Sequence, residues 1–144
     1  AGLHITNRSI GAVYSGAIED WVAMKGIEIE DGCISLWKVV RENGRDFHTG
    51  EINYLAEGEI VAPDWDPSYS GECGSALHLA DSPEAAMSFI NLGDRAKARL
   101  LRVRVQIIDC VVAGGQPLCP SKLRARACRI IEEVAHHYQS REGY

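Results

Sequence analysis

The chain has 144 residues, 46% of them hydrophobic and 24% charged, which suits one folded domain rather than a disordered segment. A domain of this length buries roughly two-thirds of its unfolded surface, so it needs no metal or disulfide staple. Twenty acidic against fifteen basic residues give a formal charge of −5. That balance speaks against bulk nucleic-acid binding, which runs on clustered Lys and Arg.

The first predicted element is a short helix after Gly16. Gly16 and Glu19 have capping-box spacing, Ile18, Trp21 and Val22 share one face, and Gly26 suits the residue past the helix end. "IEIEDGCISLWKVV" predicts a hairpin turning at Asp31-Gly32, with Ile34 to Val40 as a central strand apolar on both faces except for Ser35 and Lys38. "RENGRDFHTG" reads as a polar loop, and "EINYL" and "EIV" as short strands around Gly58. Pro63 and Pro67 stiffen the Asp64-Trp65-Asp66 loop, and Gly71 to Gly74 is a predicted turn.

Ala76 to Ala80 predicts a strand with Leu77 and Leu79 on one face and His78 on the other. Ser82, Pro83 and Glu84 open a helix running to about Asn91. In "ARLLRVRVQIIDCVVA", Leu101, Val103 and Val105 alternate with Arg102 and Arg104, and Ile107 to Val112 continue the strand past a bulge. Gly114, Gly115, Pro117 and Pro120 make a loop, and "KLRARACRIIEEV" is the last strand, broken near Arg129. Strands dominate without regular interleaving of helices. The fold class is therefore α+β, with a mostly antiparallel sheet and two short helices. Residues 1–134 form one compact domain and 135–144 a polar tail, in which His136 and His137 carry no role.

Several groups suggest chemistry. Asp64 and Asp66 are carboxylates two residues apart in a stiff loop, suited to a divalent cation or a ligand hydroxyl, with Trp65 between them to stack on a ring. His78 precedes a helix start, where anions bind well. With Arg102 and Arg104 it makes a candidate ligand-binding set for a phosphorylated molecule. Five scattered cysteines without a C-x-x-C pair give no zinc signature, and Cys73 with His78 supplies too few ligands, so no metal is expected. Unpaired cysteines, no eighteen-residue apolar run and no leader-type segment lead to the expectation of a cytoplasmic protein with no membrane role.

Two resemblances add to this reading. The segments "APDWDPSYSGECGSALHL" and "KLRARACRIIEEV", with the strands around them, resemble a family of small phage and actinobacterial proteins of unknown function. This implies kinship over about residues 34–134 and no activity. A strand centred on His78, a helix opened by Ser82-Pro83 and the "LRVRV" strand are similar to the ADP-ribosyltransferase-like fold, including RNA 2′-phosphotransferases. That resemblance implies binding of NAD or another nucleotide, with His78 facing the ligand. Lys38 sits on the opening strand, and Glu133, beside Glu132, stands where a late-strand catalytic glutamate would fall. Arg124 and Arg126 add to the arginines such phosphotransferases use. His78, Lys38 and Glu133 are thus the catalytic candidates. The alternative is a non-enzymatic phage-type accessory protein whose partner is a host or phage protein, with Trp65 as the contact anchor.

Overall fold

The computed structural model describes residues 15–67, 76–112 and 119–137. The turn expected at Gly71 to Gly74, the candidate Cys73 and the Gly114-Gly115-Pro117 loop lie outside these residues. The elements run α1 (Ile18–Lys25), β1 (Cys33–Val40), β2 (Glu59–Val61), β3 (Leu77–Ala80), α2 (Pro83–Ser88), β4 (Arg99–Gln106), β5 (Cys110–Val111), β6 (Lys122–Ala125) and β7 (Ala127–Val134). Short 3-10 turns occupy Leu92–Asp94 and Ile107–Asp109. The seven strands form one antiparallel sheet in the order β2-β7-β4-β1-β3-β6-β5. The α+β class read from the sequence is the class of the structure.

Two strands do double service. Only Arg126 separates β6 from β7, yet three strands lie between them in the sheet order. Likewise β4 passes through one 3-10 turn into β5 at the far edge. The sheet must therefore fold over on itself, as corner-turning strands require. It encloses a core to which every strand contributes, including Leu36, Ile60, Leu79, Val103, Cys110, Leu123 and Cys128. A smaller cluster of Val39, Ala80, Ala86, Met87, Ile90, Ala98 and Leu100 lies on the outer face, under α2.

Helix α1 covers the inner core with Trp21, which is fully buried and donates its indole N–H to the Pro120 carbonyl at 2.7 Å. Lys25, in its last turn, pairs with Asp81 at 2.7 Å. Gly26 ends the helix at φ 68°, donating its N–H to Ala23 and Val22. The capping box is not formed. Ala17 is the N-cap without a side-chain bond, and Ser15 N–H donates to the Asp20 carboxylate instead.

Other expectations shift for local reasons. Asp31-Gly32 does turn the chain, with both residues at positive φ as a two-residue hairpin turn requires. Its first arm stops at the Glu30–Cys33 bridge, and the Ile27 amide bonds the Val22 carbonyl at the end of α1. "EINYL" is not a strand. Asn53 bridges Arg45, and the Tyr54 amide donates to Gly44. Helix α2 ends at Ser88, short of Asn91. The bulge expected after Gln106 is a complete change of partner, since the Ile107 amide bonds Gly32 and the Asp109 carbonyl accepts from Arg126. The final strand breaks at Arg126, not Arg129, and the Arg126–Asp109 ion pair at 2.9 Å fixes the corner. His136 donates its Nε2–H to the Ala98 carbonyl at 2.7 Å, so the first residues after β7 are tied down.

No helix among the described residues is long and apolar enough to cross a membrane. Cys110 and Cys128 are buried, and burial pushes both thiols from 9.0 up to about 12. Cys33 is half-buried. Iodoacetamide at pH 8 should therefore alkylate Cys33 well before Cys110 or Cys128, as peptide mass mapping over time will show.

Candidate functional site

Strand β1 pairs with β4 along its whole length, from Cys33↔Gln106 to Val40↔Arg99, but meets β3 at one pair, Trp37↔Ala80. A continued ladder would place Val39 opposite His78. The ladder stops instead, and the His78 carbonyl accepts from the Lys38 ammonium at 3.0 Å. A cleft of about 910 Å³ opens on the outer face at this place.

Four segments wall the cleft. Trp37, Val39, Ala80 and His78 make its floor, with Lys38 reaching in from the inner face. Helix α2 contributes Ala86, Phe89 and Ile90, and the turns after it contribute Asp94 and Lys97. The loop after β1 supplies Arg41, Glu42, Phe47 and His48, and β6 supplies Lys122. Four cations and two imidazoles thus face two carboxylates, in a chain whose overall balance is acidic. Three of the chain's four lysines are here.

The loop after β1 is built around Asp46, which is 3% exposed. Its carboxylate accepts from the amides of Thr49 at 2.7 Å and Ile52 at 2.9 Å, and from the Thr49 hydroxyl. Burial pushes this carboxyl up, but those bonds and the nearby Lys38 charge outweigh it and hold it below its ordinary 3.8. Gly44 sits at φ 87°, and a Cβ there would lie 2.5 Å from the Leu55 side chain. The loop is thereby fixed, with Phe47 packed on the outer cluster and stacked by Arg41 at 5.8 Å. His48 projects to a centroid distance of 6.3 Å from His78, edge-on at 71°.

Lys38 has an unusual setting. Its ammonium lies 5.1 Å from the centre of the fully buried Tyr54 ring and makes no carboxylate ion pair among the described residues. Burial lowers its pKa from 10.5 to about 8, with Asp46 opposing the shift. The Tyr54 hydroxyl is buried without a hydrogen-bond partner among the described residues, and burial raises its pKa well above 10.0.

The remaining candidates are placed elsewhere. Glu133 is held by Arg99 in a two-pronged pair with contacts at 2.6 to 3.2 Å, which keeps its carboxyl below the ordinary value. Glu132 pairs with Arg102 at 2.9 Å. Arg104 donates to the Glu30 carbonyl and borders a separate cavity of about 150 Å³. Asp64 and Asp66 are exposed and do not line the cleft. Trp65 packs against the inner core, and the Arg124 guanidinium lies 5.9 Å above its ring. Arg124 is 1% exposed, sits directly across from His78 and donates to the Asp66 carbonyl at 3.2 Å. The Asp64–Asp66 loop therefore touches His78's cross-strand neighbour, not the cleft. Trp65→Ala should destabilise the fold by about 2 kcal/mol, read by urea melts, because it uncovers core and a buried guanidinium together.

Ser82 caps α2 through the Ala85 amide at 3.1 Å, and the cleft meets α2 along its later residues. No group of three or more metal-capable side chains occurs among the described residues.

The class that fold and site define is an α+β domain with a basic, aromatic-lined cleft where two strands part. No family model matches the chain, and no curated protein or solved structure matches it either.

Proposed function

We propose that the cleft binds a small phosphorylated, ring-bearing ligand of the nucleotide type, NAD among them. The observation that carries this reading is the sorting of charge. Lys38, Arg41, Lys97, Lys122, His48 and His78 converge on one cleft in an acidic chain, beside the Trp37, Phe47 and Phe89 rings. Phosphate needs such cations and donors, and a base needs such ring faces. About 910 Å³ suits a ligand of that size. A kinship with ADP-ribosyltransferase-like proteins belongs to the same proposal, supported by His78 in mid-strand ahead of the Ser82-Pro83 helix start. The reading stops at binding, because Glu132 and Glu133 are committed to Arg102 and Arg99.

Calorimetric titration with NAD, ADP-ribose, AMP and adenosine tests it. The phosphorylated ligands should bind, more weakly as salt rises, and the phosphate-free adenosine far less. His78→Ala and Lys122→Ala should each weaken binding about tenfold, as loss of one charge-assisted contact does. Flat titrations with every phosphorylated ligand, on protein that melts normally, would overturn the reading.

A further inference from the structure

We propose that Lys38 forms an imine with a phosphorylated aldehyde or ketone held in the cleft, an inference that rests on the ligand reading above. The chain has four lysines, and they differ in what holds them. Lys25 is paired with Asp81, and Lys122 lies over the Phe89 ring at 5.0 Å on the outer face. Lys38 is among the residues lining the cleft where β1 and β3 part, and its ammonium bonds the His78 backbone carbonyl there.

The Asp46 charge opposes the loss of the Lys38 proton, but the Asp46 oxygens bond Thr49 and Ile52 and form no ion pair with Lys38. A buried primary amine without a carboxylate partner sheds its proton readily, which is the condition an imine-forming lysine requires. With burial lowering its pKa to about 8, about half of the Lys38 side chains are neutral at pH 8.

The surroundings supply the rest of the chemistry. The neutral Lys38 nitrogen donates its lone pair to the carbonyl carbon, and the C=O π pair moves to oxygen. The proton on nitrogen passes to that oxygen through solvent or through the ring of His48 or His78, one ring nitrogen accepting as the other donates, since both line the cleft. Protonation of the resulting hydroxyl by solvent lets it leave as water while C=N forms, and the iminium nitrogen returns a proton to solvent. One water is released, and nothing is oxidised or reduced. The cations on the outer face, Lys122 and Arg41, hold the phosphate.

Pyridoxal 5′-phosphate is a suitable probe, since it carries an aldehyde, a phosphate and a ring. Pyridoxine 5′-phosphate carries an alcohol in place of the aldehyde. The full chain is incubated with each at pH 8, reduced with borohydride and mapped by peptide mass. The aldehyde should leave one reduced adduct per chain, on Lys38, and inorganic phosphate should suppress it. Lys38→Arg should remove the adduct, and the wild-type protein should bind pyridoxine 5′-phosphate. Binding of the alcohol together with an adduct spread over Lys25, Lys97 and Lys122 would overturn the imine and leave the ligand reading standing. Failure of both phosphates to bind would overturn both. The wild-type map decides the point by itself if the arginine variant does not fold.

Discussion

Between pH 8 and pH 10.5 the wild-type protein is expected to gain up to about 3 kcal/mol of unfolding free energy relative to a Lys38→Met variant. In the fold, burial lowers the Lys38 pKa to about 8, while the unfolded chain holds its proton to 10.5. Within that window the unfolded state binds more protons, so stability rises with pH. Below pH 8 both states are protonated and the burial cost of the charge is fully felt. Methionine has a similar length and no charge, so it lacks this dependence. The difference between the two proteins is the quantity to measure, by urea melts at several pH values. Above pH 9, Cys110 and Cys128 work in the opposite sense, since their thiols stay protonated in the fold to about 12. The Cys110 trend is common to both proteins, whereas the Lys38 charge acts on the Cys128 thiol, so the comparison is cleanest between pH 8 and pH 9. Parallel curves for wild type and variant would show that Lys38 is not desolvated in the fold.

Asp46→Ala should cost about 3 kcal/mol, lowering the urea midpoint by about 1.5 M. The substitution strands the amides of Thr49 and Ile52 and the Thr49 hydroxyl at once. Asp46→Asn keeps one acceptor and should lose about half as much. Because the folded pKa of Asp46 is depressed, its contribution is present above about pH 3.8 and is lost as pH falls through the folded value. Phe47 and His48 sit on the same loop, so ligand binding should weaken in the alanine variant as well, beyond what the lost stability explains at saturating fold. Unchanged binding with lost stability would separate the loop from the cleft.

Parts of this fold were readable because the signal is local. The alternation in "RLLRVRVQ" needs nothing beyond a period of two, and Ser82-Pro83 announces a helix by its own capping chemistry. The Asp31-Gly32 turn is equally local. What the sequence did not carry was which strands become neighbours. Residues 99–111 look like one strand with a bulge, and the Arg126 contacts with Asp109, together with the Cys110–Val111 pairing to β6, hold their end at the other edge of the sheet. Lys38 was visible as the one cation in an apolar strand, although not its reach to the His78 carbonyl. The loop "RENGRDFHTG" reads as ordinary polar chain. Yet Asp46 and Thr49, three apart, are the spacing of a side chain that caps its own turn, and that pair was the available sign that Phe47 and His48 would be held in place. The conspicuous Asp64-Trp65-Asp66 triplet had the opposite fate. Its tryptophan is drawn into the core and under Arg124, a contact set by residues sixty positions away or so in the chain.

The single β1–β3 bridge has a mechanical consequence. The continuous chains through Arg126 and through Ile107–Asp109 act as the spine of a book, and Trp37↔Ala80 with the Lys38 bond is the clasp on its open side. A molecule entering beside the clasp meets β1 and β3 where one backbone pairing and one lysine contact join them directly, with the α2 cluster packed across both. Amide exchange at Trp37 and Ala80 should then be the first to quicken or slow when anything binds there.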